Sequence, residues 1–258
     1  MVTIAYGPEP TQQLDLLVPD GDGPSPVVVL VHGGFWMARY DRTLMAPLAD
    51  DLAQRGYAAV NVEYRRGSIP GGGWPGTLQD VAHAFDHLAS VAEEHDLDLR
   101  RLVAIGHSAG GQLAMWAAAR RGLPGGAPGA HPLVTPRAVV SVAGLLDLHA
   151  AAVDGVGGGA ARRFLGGGPD AVPERYALAS PVARLPLGVH AVLIHGDHDE
   201  MVPPSQSRRF ADAALAAGDQ VELVVLPGVG HFAVLDRSSP TWQAVTDRLA
   251  GLTRRAAP

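Results

Sequence analysis

The chain has 258 residues, 47% of them hydrophobic, and a formal net charge of −6. This length and composition suit one α/β domain with a sizeable core, and the acidic balance with scattered arginines argues against nucleic-acid binding. Cysteine and lysine are absent, which excludes disulfides, thiolate nucleophiles, thiolate metal sites, Schiff-base chemistry and a Ser-Lys dyad. We expect a single domain over residues 1–258 that acts as a monomer or a homodimer.

The N-terminal residues 1–10 have neither the basic nor the apolar part of a signal peptide. No apolar stretch in the sequence approaches the length of a membrane span. These two features predict a cytoplasmic protein that has no membrane partner.

Apolar runs alternate with segments of helical periodicity, which predicts a mostly parallel, twisted sheet of about eight strands with helices on both faces. Thr3–Tyr6 and Gln13–Val18 indicate an antiparallel start. The six later strands are predicted at Val27–Val31, Ala58–Val62, Leu102–Ile105, Ala138–Val142, Ala191–Ile194 and Val221–Leu226.

Between the strands, apolar residues at three- and four-residue steps predict helices over Leu78–Ala92 and Trp242–Leu252. Pro203 and Pro204 open another helix that Gly218 stops. Residues 144–188 form a long insertion between late strands, with two glycine triplets. It is expected to be either a mobile lid over the site or a disordered surface loop.

A G-x-S-x-G pentapeptide occupies residues 106–110, directly after the apolar run 101–105 and directly before the apolar segment 111–116. This order predicts a strand, a sharp turn and a helix, which pushes the Ser108 hydroxyl out above the end of a sheet. The dipole of the following helix is then aimed at its oxygen. The pentapeptide alone is a weak signal, but its flanks and its downstream partners make Ser108 the predicted nucleophile.

A serine nucleophile needs a base and an orienting acid. His231 follows the last strand on a glycine-rich loop that can return over the sheet edge, and it is the predicted base. Asp199 is the predicted acid, because it lies far enough beyond its strand to turn back and fits the chain order Ser, Asp, His. Asp197 is expected to cap the turn, and Asp147 is a rival acid after the preceding strand.

Donors for an oxyanion are expected from the backbone of Ala109 and of the segment His32-Gly33-Gly34-Phe35-Trp36, where glycines allow close approach to a carbonyl. His32 is expected to order this loop through a backbone hydrogen bond. Trp36 and Trp74 are candidate pocket residues. His107 is a further candidate, although its side chain is expected to point away from the adjacent serine.

Several spaced motifs in order resemble the α/β-hydrolase superfamily, nearest to hormone-sensitive-lipase-like carboxylesterases and kynurenine formamidases. They are His32–Trp36, Asn61–Arg65, Gly106–Gly111, Gly196–Pro203 and Gly230-His231, and the resemblance runs from about Val27 to Leu252.

The resemblance implies the α/β-hydrolase fold and the same roles for Ser108, Asp199 and His231. It further implies oxyanion N–H groups from Gly34, Phe35 and Ala109, with Gly33 as an alternative to one of them. The esterase pattern usually reads H-G-G-G, whereas Phe35 takes the third glycine position here, which is similar to the formamidase version.

Metal sites fit the sequence less well. His83 and His87 lie four residues apart on one predicted helix, but Ala84 occupies the position where a zinc peptidase needs its glutamate. The run His195–Asp199 lacks the H-x-H-x-D-H order of metallohydrolases. We therefore expect no metal.

The predicted reaction is acyl transfer to water through an acyl-enzyme, with no cofactor. Small carboxylic esters are the expected substrates. An aryl formamide such as N-formylkynurenine is the alternative, because Phe35, Trp36 and Trp74 suggest an aromatic or planar group near the site. A non-catalytic binding protein of the same fold is a further alternative, although such proteins usually lose a triad member. Ser108 at the turn excludes a dehalogenase or an epoxide hydrolase, which needs a carboxylate nucleophile there.

Overall fold

All of the predicted strands join one eight-stranded sheet in the computed structural model, which describes residues 1–21 and 23–254. The strand order is β1-β2-β4-β3-β5-β6-β7-β8, with β1/β2 and β2/β4 antiparallel and the other neighbours parallel. The strands are β1 (Val2–Ala5), β2 (Gln13–Leu17), β3 (Ser25–Val31), β4 (Ala58–Val62), β5 (Leu97–His107), β6 (Ala138–Val142), β7 (His190–Gly196) and β8 (Val221–Leu226). The predicted fold class is confirmed.

Helices cover both faces of this sheet. They are α1 (Ala46–Gln54), α2 (Gly76–Val91), α3 (Ala109–Ala119), α4 (Leu148–Val153), α5 (Val156–Leu165), α6 (Pro173–Ala179), α7 (Ser205–Ala216) and α8 (Pro240–Leu252), with single 3-10 turns at Arg42–Met45, Arg120–Gly122, Pro181–Arg184 and Ala233–Leu235. The two helices predicted from periodicity are present as α2 and α8, and the helix predicted to open at Pro203 and Pro204 is present as α7. Helix α1 was not predicted, and β5 begins five residues before its predicted start.

The alternation of side chains along β3 divides the interior into two layers. Val27, Val29 and Val31 pack on the side of α2 and α3, whereas Val28 and Leu30 pack on the side of α1 and α8. Because successive strand residues point to opposite faces, a strand buried on both faces must be apolar at every position. This requirement explains the continuous apolar runs in the sequence.

The turn between β5 and α3 is held very close to β3. A Cβ atom on Gly110 would lie 2.0 Å from the carbonyl oxygen of Val31, and one on Gly106 would lie 2.0 Å from the carbonyl oxygen of Gly110. No side chain fits at either position. The two outer glycines of the pentapeptide therefore let α3 start directly beside the central strands, at the edge where the parallel strands end.

The insertion at residues 144–188 is largely helical. It contains α4, α5, α6 and a 3-10 turn, and it buries the side chains of Phe164, Leu165 and Tyr176. Three consecutive glycines at 157–159 have left-handed backbone angles inside α5, where the helix is kinked. The expectation of a disordered loop is therefore wrong, because these apolar side chains have a core to pack against. The role of the insertion as a lid, and the single domain over residues 1–258, stay predictions.

Candidate active site

Ser108 lies on the sharp turn that joins β5 to α3. Its backbone angles are φ 57° and ψ −122°, a conformation that costs a non-glycine residue on the order of 1–3 kcal/mol. The amide N–H of Ser108 donates to the carbonyl of Val142 at 2.8 Å, and this bond holds the turn against β6. Only 1% of the residue is exposed. The sequence therefore folds into the strained strand-turn-helix that the pentapeptide predicts.

His231 and Asp199 are brought together from loops 32 residues apart in the chain. The Nδ1 atom of His231 lies 2.7 Å from Oδ2 of Asp199, and both side chains are buried. Because the carboxylate can only accept, Nδ1 carries the proton and Nε2 is left with its lone pair. That tautomer is the one a general base needs toward a serine hydroxyl.

Four N–H groups surround the Asp199 carboxylate. Oδ1 accepts from the backbone N–H groups of Met201 at 2.9 Å and Val202 at 2.8 Å, while Oδ2 faces His231 Nδ1 and, at 3.2 Å, His195 Nε2. Burial by itself would raise the pKa of this carboxyl. The hydrogen bonds from His195, His231 and the Val202 amide outweigh burial and hold the pKa of Asp199 well below its usual range. The group is therefore an anion throughout the neutral range.

The other carboxylates of the sequence analysis have structural partners. Asp147 caps α4, where its side chain accepts from the Ala150 N–H at 2.9 Å. Asp197 accepts from the Gly228 N–H at 2.7 Å and closes the turn after β7. The structure brings neither side chain to His231.

The loop after β3 and the first turn of α3 carry the expected oxyanion donors. Within residues 1–21 and 23–254, the N–H groups of Gly34, Phe35 and Ala109 donate to no protein acceptor. Gly34 has φ 112°, and Phe35 and Trp36 also have positive φ angles, 52° and 54°. Two consecutive aromatic residues in this region are strained by about 1–2 kcal/mol each. Free donors on a strained loop are typical of an oxyanion hole.

Buried side chains hold this loop in place. The Trp36 ring stacks on Phe164 of the insertion, with centroids 4.4 Å apart and planes 6° apart, and its Nε1 donates to Gln112 at 3.2 Å. His32 Nδ1 lies 2.8 Å from the carbonyl of Gly33, as expected, and its Nε2 lies 3.1 Å from Glu63. The Trp36 side chain therefore anchors this loop, and it also lines the larger cavity described below.

His107 supports the loop that carries His231. Its Nε2 lies 2.9 Å from the carbonyl oxygen of His231, so Nε2 carries the proton and donates. Burial, with the neighbouring His231 adding to it, lowers the pKa of His107 to about 3. His107 is thus neutral near pH 7, and its N–H holds the backbone of His231 at the cavity that both residues share with Ser108.

Two cavities meet at Phe35. The smaller one measures about 80 Å³ and contains both Ser108 and His231, together with His107 and Gly34. Its remaining wall is mostly apolar and was not predicted from the sequence: Tyr40, Leu44, Met201, Phe232 and Leu235. The larger cavity measures about 490 Å³ and is lined by Trp36, Trp74 and Phe164 among others. Residues so far apart in the chain share no sequence pattern that could have identified them as one wall.

The described residues contain no cluster of three or more His, Cys, Asp or Glu side chains suited to a metal ion. His195 lies in a hydrogen-bonded network rather than in a ligand set, with Ser207 Oγ at 2.7 Å from its Nδ1. Among helices of the described ranges, none is both long enough and apolar enough to cross a bilayer.

The fold is that of the α/β-hydrolase superfamily, as the sequence predicted. The chain belongs to the BD-FAE family, whose model matches residues 14–214. The kynurenine formamidase resemblance stays a prediction.

Curated relatives and solved structures agree with this class. The chain is 29% identical to Esterase LipC of Mycobacterium tuberculosis, over 94% of this chain and 62% of that protein. It is 28% identical to isoprenylcysteine alpha-carbonyl methylesterase ICME of Arabidopsis thaliana, over 89% and 56%. The chain thus spans little more than half the length of these relatives. Both relatives are named as esterases.

Two solved structures show the same fold. A truncated carbohydrate esterase from gut microbiota superposes with a TM-score of 0.86 at 22% identity, over 99% of this chain and 97% of that one. The propionate-bound esterase Est2 of Thermogutta terrifontis superposes with a TM-score of 0.77 at 24% identity, over 99% and 96%. At these identities the likeness concerns the architecture alone.

Proposed function

We propose that the protein hydrolyses small carboxylic esters through a Ser108, His231, Asp199 triad. The observation that carries the proposal is the His231 Nδ1 to Asp199 Oδ2 contact of 2.7 Å, with His231 and a strained Ser108 lining the same cavity. Because Nδ1 of His231 faces Asp199, Nε2 is proposed as the nitrogen that takes the hydroxyl proton. The esterase relatives support the same reaction class.

The proposed reaction has two halves. His231 Nε2 removes the Ser108 proton while Oγ bonds to the ester carbonyl carbon, and the N–H groups of Gly34, Phe35 and Ala109 stabilise the oxyanion. The C–O bond then breaks, and His231 gives its proton to the leaving alcohol. Water next attacks the acyl-enzyme with His231 as base, which releases the acid and restores Ser108. No step requires a cofactor.

The acyl group is proposed to be short. The cavity at Ser108 measures about 80 Å³ and is mostly apolar beyond the reacting groups, whereas drug-sized ligands occupy roughly 300–1,000 Å³. The cavity of about 490 Å³ on the other side of Phe35 offers room for a larger alcohol. A substrate with a small acid and a bulkier leaving group fits this pair of volumes.

An aryl formamide is the second candidate, and the same two volumes favour it. A formyl group is the smallest acyl group, and Trp36 and Trp74 line the cavity in which an aryl amine would lie. Comparing kcat/KM for p-nitrophenyl acetate, butyrate and octanoate with that for N-formylkynurenine separates the candidates. We expect acetate or butyrate to lead. A formamide rate far above the esters would reverse that order.

The triad is tested with Ser108→Ala. We expect loss of turnover and of labelling by an organophosphonate, with an unchanged melting temperature, because the side chain touches reacting atoms and contributes little to the core. A non-catalytic binding protein would instead show no turnover and no phosphonate labelling in the unmodified chain. Turnover retained by the Ser108→Ala variant would remove the proposal.

A further inference from the structure

A second histidine lies behind the acid of the proposed triad. His195 is the next-to-last residue of β7, is fully buried, and has both ring nitrogens in contact with polar atoms. Its Nε2 lies 3.0 Å from the carbonyl of Val202 and 3.2 Å from Oδ2 of Asp199, and its Nδ1 lies 2.7 Å from Ser207 Oγ. None of these contacts is required by the mechanism derived above.

The protonation of this ring follows from its partners. The two atoms beside Nε2 are a carbonyl and a carboxylate oxygen, which can only accept, so Nε2 carries the proton. Nδ1 then holds a lone pair and accepts the hydroxyl proton of Ser207, on α7. The two oxygens beside Nε2 thus select the tautomer of His195 that presents an N–H group to the acid, and the Ser207 hydroxyl stabilises it by donating to Nδ1.

The contacts form a closed circuit around the acid. His195 Nε2 donates to the Val202 carbonyl, the Val202 amide donates to Asp199 Oδ1 at 2.8 Å, and Asp199 Oδ2 faces the same Nε2. The ring therefore acts on the acid twice, through the N–H group near Oδ2 and through the backbone turn that carries the carboxylate.

We propose, on the basis of the triad proposed above, that His195 is a positioning residue that orients Asp199 and shares its charge, with Ser207 stabilising the active tautomer. Because His195 and His231 face the same oxygen, the charge that Oδ2 presents to His231 depends on His195. Hydrogen bonds to the acid from His195 and His231 both lower its pKa, which agrees with that sharing.

Removing the N–H of His195 concentrates negative charge on Oδ2 and favours the protonated form of the base. The acid limb of the kcat/KM profile should then move to higher pH. The other titratable side chains near His231 are His107, which is neutral in this range with a pKa of about 3, and His198 and Glu200, which line the groove on the outer side of His231. All three are unchanged in the variants below.

Three variants test this role. His195→Leu removes both ring nitrogens, His195→Gln keeps a donor N–H on a side chain of similar reach, and Ser207→Ala removes only the hydroxyl that donates to Nδ1. We expect His195→Leu to lower kcat by about 10- to 100-fold, as small misplacements of catalytic groups do, with KM within about twofold. The midpoint of the acid limb of the kcat/KM profile should move to higher pH by roughly half a unit.

His195→Gln should recover most of kcat and return the limb toward its original position. Ser207→Ala should lower kcat a few-fold and move the limb in the same direction as His195→Leu. Alanine is favourable within a helix, so Ser207→Ala tests the role of His195 if His195→Leu does not fold. A folded His195→Leu or Ser207→Ala variant with the original kcat and pH profile would overturn the proposal, as would a glutamine variant no better than leucine.

Organophosphonate labelling distinguishes a failure of this proposal from a failure of the triad proposal on which it rests. An unmodified chain that is not labelled at Ser108 contradicts the triad itself. If the unmodified chain is labelled and His195→Leu is labelled at the same rate across pH 5–9, the triad stands and the role of His195 is wrong. Slower labelling of His195→Leu, with rescue in the glutamine variant, supports both.

Discussion

Replacing Asp199 by Asn should disable the proposed base while leaving the fold intact, and the structure dictates how. The Asn oxygen must take the Oδ1 position, because the backbone N–H groups of Met201 and Val202 point there at 2.9 and 2.8 Å. The amide NH₂ then occupies the Oδ2 position. It faces Nδ1 of His231 at 2.7 Å and Nε2 of His195 at 3.2 Å, both of which are donors.

Donor facing donor is repulsive at these distances, so His231 must move its proton to Nε2 to accept at Nδ1. In that tautomer Nε2 has no lone pair for the Ser108 proton. An Asp-to-Asn change of this kind lowers kcat by about 10⁴ in serine proteases with the same arrangement, which corresponds to about 5 kcal/mol of transition-state stabilisation. We expect a loss of that order, with KM nearly unchanged because Asp199 does not line the cavity at Ser108.

The assay is steady-state hydrolysis of p-nitrophenyl acetate at matched protein concentrations, with folding followed by circular dichroism. Asp197→Asn and Asp147→Asn are matched controls: one closes the neighbouring turn and the other caps α4, where Asn caps as well as Asp. Both should stay within about threefold of the unmodified enzyme. A folded Asp199→Asn variant that keeps a tenth of the original kcat, or an equal loss in Asp147→Asn, would refute the reasoning.

Three further predictions concern the cavity, the turn and acid stability. Leu44→Ala should raise the octanoate-to-acetate ratio of kcat/KM by about tenfold. Leu44 lines the cavity of about 80 Å³, and each added methylene in a pocket is worth roughly 1–3 kcal/mol. An unchanged ratio would mean that the acyl chain binds elsewhere. Gly110→Ala should prevent folding because its Cβ would lie 2.0 Å from a backbone oxygen. Gly251 lies in α8 with open space around it, so the control Gly251→Ala should leave the free energy of unfolding in urea unchanged or raise it by up to about 1 kcal/mol. The free energy of unfolding should fall as pH drops below about 4. The folded-state pKa values of Glu63 and Asp199 are lowered. The stabilisation from these two carboxylates is therefore fully present above the unfolded-state pKa values of about 4 and is lost as pH falls through the folded-state values. A free energy of unfolding that stays constant between pH 5 and 2.5 in urea titrations would contradict this.

The sequence by itself determined the sheet and the turn at Ser108, because both depend on local patterns. Continuous apolar runs require burial on both faces, and G-x-S-x-G between such a run and a helix leaves the chain few conformations. Helix α1 was missed, and the insertion could be taken for a loop, because short and glycine-rich segments have weak periodicity and gain their order from packing.

Only the tertiary structure decided which side chains share a site. Asp199 and His231 are 32 residues apart, and the sequence left Asp147 as a rival to Asp199 until the partners of both were known. The apolar wall around Leu44 and the stacking of Phe164 on Trp36 have the same origin. Contacts between distant segments depend on how strands and loops pack in three dimensions, and a one-dimensional pattern contains no distance between them.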